Sequence, residues 1–257
     1  MPRCARFVVA LWPLLSAGTG HCVQYAYEPV GLGWSAQEVD RAAADRFSAM
    51  TGRAHQTEPS ACGVPCQRSA DVFARLVVQA RAQTQRSATL PWSLTVVALP
   101  DIEAAARPEG EVVISEWFVA QRLQADEALA FVLAHEMAHS ILEHERQALT
   151  YARLLLARET TRSVEDMYAE LNVNWSLLWA MEPVMQQGEY EADEIGLLLA
   201  SAAGYEPERQ LAFMVQQCET EDSSASMVQT HPPACLRLRA LQALLPLAKR
   251  QQSAIDQ

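Results

Sequence analysis

Val132-Leu-Ala-His135-Glu136-Met-Ala-His139-Ser-Ile141 is the stretch that decides the reading of this chain. On a helix, residues four apart lie on one face, so His135 and His139 aim both imidazoles at one ion. Zinc takes imidazole nitrogen readily, and a hydrolytic zinc site needs three protein ligands and an open position. Glu136, beside the first histidine, is placed to take a proton from the attacking water. Phe131, Val132, Leu133 and Met137 make this helix mostly buried. A surface helix with two stray histidines would not be framed in this way.

The site still needs a third ligand. His144 lies five residues past His139, about 140° round a continuous helix, and so does not face the same ion. The glycine and histidine that follow the second histidine in metzincins are replaced here by Leu142 and Glu145. His144 is therefore read as a surface or outer-layer residue. The better candidate is Glu189-Tyr-Glu-Ala-Asp193, where Glu189 and Asp193 share a helix face. Glu189 is positioned to bind zinc, and Asp193 to accept a hydrogen bond that fixes a ligand histidine's tautomer. Glu191 points elsewhere on the helix. Alone, these acids read as a helix start favoured by the helix dipole; beside two histidines they supply the missing anion.

Upstream, Ser35-x-x-Glu38 is a capping box for a helix to about Met50, with Thr51-Gly52 ending it. A second helix is expected from about Gln67 to Thr84. Trp92 to Leu99 and Glu111 to Trp117 are β-branched and apolar, and read as two adjacent strands separated by the turn chemistry of Pro108-Glu-Gly110. After Gln124 the chain is helical almost throughout. Asp126 opens a helix to about Gln147, and others are expected over Arg153–Leu156, Met167–Trp179, Glu189–Ala203, Glu208–Gln217 and Cys235–Lys249. Gly204 reads as a helix stop and Pro207 as a first helical turn. Strands early and helices late give α+β, a mainly helical domain with a small β-sheet.

The chain of 257 residues is long enough for one well-cored domain, and its net charge of −11 argues against a nucleic-acid partner. Arg3 and Arg6, the apolar run Phe7–Leu15 and the small residues Ser16–Gly20 describe a secretory signal peptide over residues 1–21, leaving a domain over 22–257. Cys22 stands where a lipoprotein carries its acylated cysteine and an outer-membrane anchor, although His21 is larger than such a box requires. Cys62, Cys66, Cys218 and Cys235 remain, an even number that suggests two disulfides from three pairings. A zinc ribbon lacks its second close pair.

His135-Glu136-x-x-His139, Glu189-x-x-x-Asp193 and Thr230-His231-Pro232 with Arg237 resemble the gluzincin peptidases related to the CaaX prenyl protease and the heat-shock protease HtpX. The resemblance covers residues 35 to 248. It implies a zincin-like fold and a single zinc ion on His135, His139 and Glu189. It further implies Glu136 as base, Asp193 and Arg237 as supports, and His231 as a histidine that approaches the metal. The export signal places the chain nearer the periplasmic branch typified by LoiP and BepA, which implies unfolded or misassembled envelope proteins as substrates. Ala104–Gly110 departs from the family's Asn-Ala-x-Ala pattern, and the chain has no tetratricopeptide tail, so partners of that tail do not transfer.

The expectation is thus a zinc endopeptidase with substrate extended beside Val112–Ser115, the edge of a small sheet. We also expect Cys218 and Cys235 to be bonded, holding His231 near the open zinc position as a latch or as a hydrogen-bond donor to the tetrahedral intermediate. The dull alternative for His231 is a helix-start residue before Pro232. Two rival functions are a chaperone-like binder on the same fold, which has no need of Glu136, and a zinc hydrolase of a non-peptide substrate.

Overall fold

The computed structural model describes residues 33–44, 48, 62–99, 102–156, 162–220 and 231–253. The signal-peptide reading, Cys22, the end of the first expected helix with Thr51-Gly52, and Thr230 lie outside the described residues. The capping box forms as read: Ser35 Oγ accepts from the Glu38 N–H at 3.2 Å, and the Glu38 carboxylate accepts from the Ser35 N–H at 2.7 Å. It opens helix α1 over residues 36–44. Helix α2 spans Val64–Gln83 and the short α3 spans Gln85–Thr89.

Three strands follow: β1 (Ser93–Val97), β2 (Ala104–Ala106) and β3 (Glu111–Ser115). The sheet order is β1-β3-β2, with β1 parallel and β2 antiparallel to β3. The two expected strands are therefore neighbours, and β2 is an addition that the sequence reading did not contain. β3 occupies the centre and both its edges are paired, so the strand expected to receive substrate has no edge to offer. Among the described residues the outer strands are β1 and β2.

Ser115 ends β3 and caps α4 (Glu116–Gln121), accepting from the Phe118 N–H. Helix α5 (Asp126–Leu142) is buried on nearly every side, from Ala128 through Leu142. It stops short of the expected Gln147, because Glu143 turns into the left-handed region at φ 57° and α6 (His144–Leu155) departs in a new direction. Helix α7 (Val164–Val173) ends at Asn174, whose side chain caps α8 (Trp175–Ala202) by accepting from the Leu177 N–H. Helices α9 (Pro207–Gln210), α10 (Ala212–Thr220) and α11 (Ala234–Ser253) complete the chain. Gly204 stops α8 at φ 92° and Pro207 opens α9, as the sequence suggests. The whole is mainly helical α+β with a small sheet.

Two apolar cores meet along α8. Its early residues Leu177 and Met181 pack with Val39 of α1, Leu149 of α6 and Met167 of α7. Its late residues Leu197–Ala200 join α2, α5, β3 and α11. Between the two, Ala192 and Ile195 meet Ala138 and Leu142 of α5. Gly196 permits this seam: a Cβ there would lie 2.9 Å from the backbone nitrogen of His135 and 3.0 Å from its Cα. Backbone cannot yield as a flexible side chain does, so even one methyl forces α8 away from α5. Two disulfides, Cys62–Cys66 and Cys218–Cys235, tie the start of α2 and join α10 to α11.

Gly196→Ala is expected to lower stability by roughly 1–3 kcal/mol, the usual cost of overpacking. It should also weaken metal binding, because α8 carries the carboxylates that face His135. Urea unfolding and metal titration check both, and a fully wild-type variant would contradict the seam.

Candidate active site

Helices α5 and α8 bring five functional groups to one place. His135 and His139 sit one turn apart on α5, and their Nε2 atoms are 3.1 Å from each other. Glu189 faces them from α8, with Oε2 3.5 Å from His135 Nε2 and Oε1 3.5 Å from His139 Nε2. The ligand atoms offered by these three residues all lie within 4.8 Å of one another. Tetrahedral zinc with bonds near 2.1 Å needs its ligand atoms about 3.3–3.5 Å apart. Glu189 Oε2 is buried without a hydrogen-bond partner among the described residues, which is costly for a carboxylate oxygen unless a cation meets it. The residues present fit zinc.

The outer layer holds the inner one. Asp193, one turn beyond Glu189, accepts from His135 Nδ1 at 3.0 Å. That bond puts the ring proton on Nδ1 and leaves the Nε2 lone pair facing Glu189 and His139. Arg237 of α11 grips Asp193 with two bonds, Nε to Oδ2 at 2.7 Å and Nη2 to Oδ1 at 2.6 Å. Its Nη1 also lies 3.5 Å from Glu189 Oε2. A planar guanidinium fits a carboxylate in this two-point way, which a lysine would not.

The charges favour one cation at the centre. Burial by itself would lower His135, but its bond to Asp193 and the nearby Glu189 carboxylate outweigh burial and push it up to about 10. His139 goes the other way, held well below its ordinary value by burial and by the neighbouring His135 and His144. Burial alone would raise Glu189 and Asp193; the imidazoles around Glu189, and Arg237 with His135 around Asp193, keep both carboxyls below the usual range. Such a cradle welcomes a single positive charge among its nitrogens and rejects a second.

Glu136 lines a cleft beside this group, and burial pushes its carboxyl up to about 7. The cleft's apolar wall comes from Phe118, Phe131, Val132, Phe213 and Met214, with Phe118 and Phe213 packed edge to face at 5.7 Å. Glu103 and Ala104 bring the start of β2 to the same cleft. His231 stands at the mouth, 65% exposed, with Nε2 3.5 Å from Glu189 Oε2. It lies between Cys218 and Cys235, within the stretch their crosslink closes, and precedes Pro232, which also lines the cleft. All seven sequence-derived site residues, His135, Glu136, His139, Glu189, Asp193, His231 and Arg237, are thus gathered around one point.

Sequence reasoning missed one pair. His144 Nδ1 lies 2.9 Å from His139 Nδ1, and its Nε2 lies 3.3 Å from Glu191 Oε2. His144 is turned away from the ion only on a continuous helix, and the helix breaks at Glu143. A histidine just past the motif, together with a second glutamate in Glu189-x-Glu191, was the available signal.

The profile of peptidase family M48 matches residues 67–245. Among curated proteins, the chain is 26% identical over 174 residues to the mitochondrial metalloendopeptidase OMA1 of Schizosaccharomyces pombe, covering 65% of this chain and 50% of that protein. It is 30% identical over 129 residues to the Arabidopsis thaliana protein of the same name, covering 50% of this chain and 26% of that one. It is 30% identical over 175 residues to the human protein, covering 61% of this chain and 33% of that one. The chain therefore spans half or less of the length of these relatives. They are named as mitochondrial, which contradicts the periplasmic location expected from the sequence; they do not support the periplasmic LoiP/BepA branch specifically, and they do not confirm envelope substrates. Among the described residues, no helix is long and apolar enough to cross a membrane. No solved structure matches the chain significantly.

Purified protein is expected to carry about one zinc per chain. His135→Ala should lose it and Glu189→Ala should bind it far more weakly. Elemental analysis after dialysis checks this; wild-type protein that takes up no zinc would refute the ligand assignment.

Proposed function

The chain belongs to peptidase family M48, and on that premise we propose that it is a zinc endopeptidase that cuts unfolded or misfolded protein segments within their length. The observation that supports this best is the convergence of His135, His139 and Glu189, with Glu136 in the adjoining cleft. Zinc held by these three residues would supply Lewis acidity toward a carbonyl oxygen and toward water. Glu136 then serves as the base that removes a proton from the attacking water and returns it to the departing amine. Asp193 holds the His135 ring, and Arg237 holds and neutralises Asp193 while approaching Glu189.

The substrate lies along β2. The Glu103 carbonyl accepts from the Ser115 N–H at 2.9 Å and the Arg107 N–H donates to the Glu111 carbonyl at 2.8 Å. Alternation along an antiparallel ladder then turns the N–H and C=O groups of Ala104 and Ala106 toward the outer edge. An extended peptide pairs with such an edge whatever its side chains. The cleft wall of Phe118, Phe131, Val132, Phe213 and Met214 favours an apolar side chain next to the cut. Folded proteins offer neither an extended backbone nor that side chain, which is why unfolded segments suit the site. In this reading His231 donates a hydrogen bond to the carbonyl oxygen as it gains negative charge, a role supported by its approach to Glu189 at 3.5 Å.

Glu136→Gln should keep its fold and its zinc while losing about 10²- to 10⁴-fold in turnover of casein, since the base alone is removed. A variant that cleaves at the wild-type rate would refute the mechanism. Wild-type protein that holds casein uncut would mark a binder, and one that ignores casein but hydrolyses small esters would mark a non-peptide hydrolase. His231→Ala should lower kcat with zinc content unchanged; a rise in activity would instead mark a latch, and no change would remove both roles.

A further inference from the structure

We propose that His144 and Glu191 form a second positioning relay, which sets the tautomer and orientation of His139 as Asp193 and Arg237 do for His135. The inference rests on the zinc reading given above.

The geometry starts at Glu143. It is the one non-glycine residue with positive φ among the described residues, at 57°. A left-handed glutamate costs energy, and such a conformation persists only where its surroundings enforce it. Here Arg146 Nη1 donates to Glu143 Oε1 at 2.7 Å and Arg86 Nη1 lies 3.5 Å from the same oxygen. Arg86 also donates to the Ser140 carbonyl at 3.1 Å, so the end of α5 and the turn are held by one side chain. The turn carries His144 back over the end of α5, where its ring meets that of His139 at 4.9 Å between centroids, nearly perpendicular. The ring packs directly against α8: a Cβ at Gly188 would lie in ordinary contact, 3.4 Å from His144 Cγ and Nδ1.

Both nitrogens of His144 are engaged, and the proton order is determined. His139 Nε2 faces His135 Nε2 and Glu189, so the neutral ligand ring must carry its proton on Nδ1. That proton goes to His144 Nδ1 at 2.9 Å, which must accept. His144 then carries its own proton on Nε2 and donates it to Glu191 Oε2 at 3.3 Å. Gln187 Nε2 donates to the other oxygen of Glu191 at 2.9 Å, fixing the terminal acceptor. A side chain that only filled space would not need nitrogens at both ends of this chain. A ligand histidine whose outer nitrogen has an oriented acceptor is held in place and made a better donor to metal.

The test uses the full chain with zinc and cobalt(II) as probes. His144→Phe keeps a ring but removes both nitrogens, and is expected to weaken zinc binding about 10- to 100-fold in chelator competition. His144→Asn places Oδ1 where Nδ1 was, accepts the same proton, and is expected to recover most of that loss. The visible spectrum of the cobalt(II) protein should change in His144→Phe and return toward wild type in His144→Asn. Glu191→Ala leaves the ring in place and should weaken zinc binding about 10-fold, which keeps the test open if His144→Phe does not fold. Wild-type zinc affinity in His144→Phe or Glu191→Ala, or equal weakening in His144→Phe and His144→Asn, would overturn the relay while leaving the zinc reading intact. Wild-type protein that binds no zinc would overturn both.

Discussion

The close approach of α8 to α5 at Gly196 is the constraint on which the site depends. A methyl there would meet the backbone of His135, so the seam brings the helices near enough for short carboxylates to reach imidazoles without flexible spacers. Glu189, Asp193 and Gly196 recur at helical spacing along the same face of α8, and Ala192 and Ile195 fill the gaps against Ala138 and Leu142. Apolar burial on both sides therefore fixes the distance, and the polar groups occupy positions already decided by packing. A hydrolytic site gains from this order of events, because its groups need no rearrangement when charge develops.

Burying so many ionisable groups in one seam would be destabilising if their charges did not match. Asp193 and Glu189 are two anions; Arg237 answers one and the metal position answers the other. Arg237 comes from α11, far along the chain, so the last helix contributes to the site electrostatically and to the core through Leu241 and Ala248. The Cys218–Cys235 crosslink fastens the start of that helix to α10. His231 thus approaches Glu189 from a segment anchored on both sides.

The metal-facing half of the site was legible because its signal is local: two histidines and two acids, each pair one helical turn apart. What was not legible depends on contacts between distant residues. Three alanines give β2 no intrinsic strand preference; the strand exists because β3 pairs with it and because Arg107, at its end, binds Asp40 of α1 and Glu111 of β3. The sequence around Glu143 has neither glycine nor proline, and its left-handed turn is imposed by Arg86 and Arg146. The helix expected over Met167–Trp179 is instead broken at Asn174, whose side chain caps α8, and α8 runs on past the expected start at Glu189 from Trp175 to Ala202.

The turn at Glu143 explains why Glu191 looked idle. On α8 it lies about 200° from Glu189, so a wheel drawn for α8 alone turns it away from the metal ligands. The turn at Glu143 lets α6 begin beside that outer face, and His144 bridges from it to the far side of His139. One helix therefore supplies Glu189, which joins the ligand histidines directly, Asp193, which acts through His135, and Glu191, which reaches His139 only through another imidazole. A wheel finds partners on facing sides of two helices. It cannot find a partner delivered by a third helix whose direction is set by an arginine on α3.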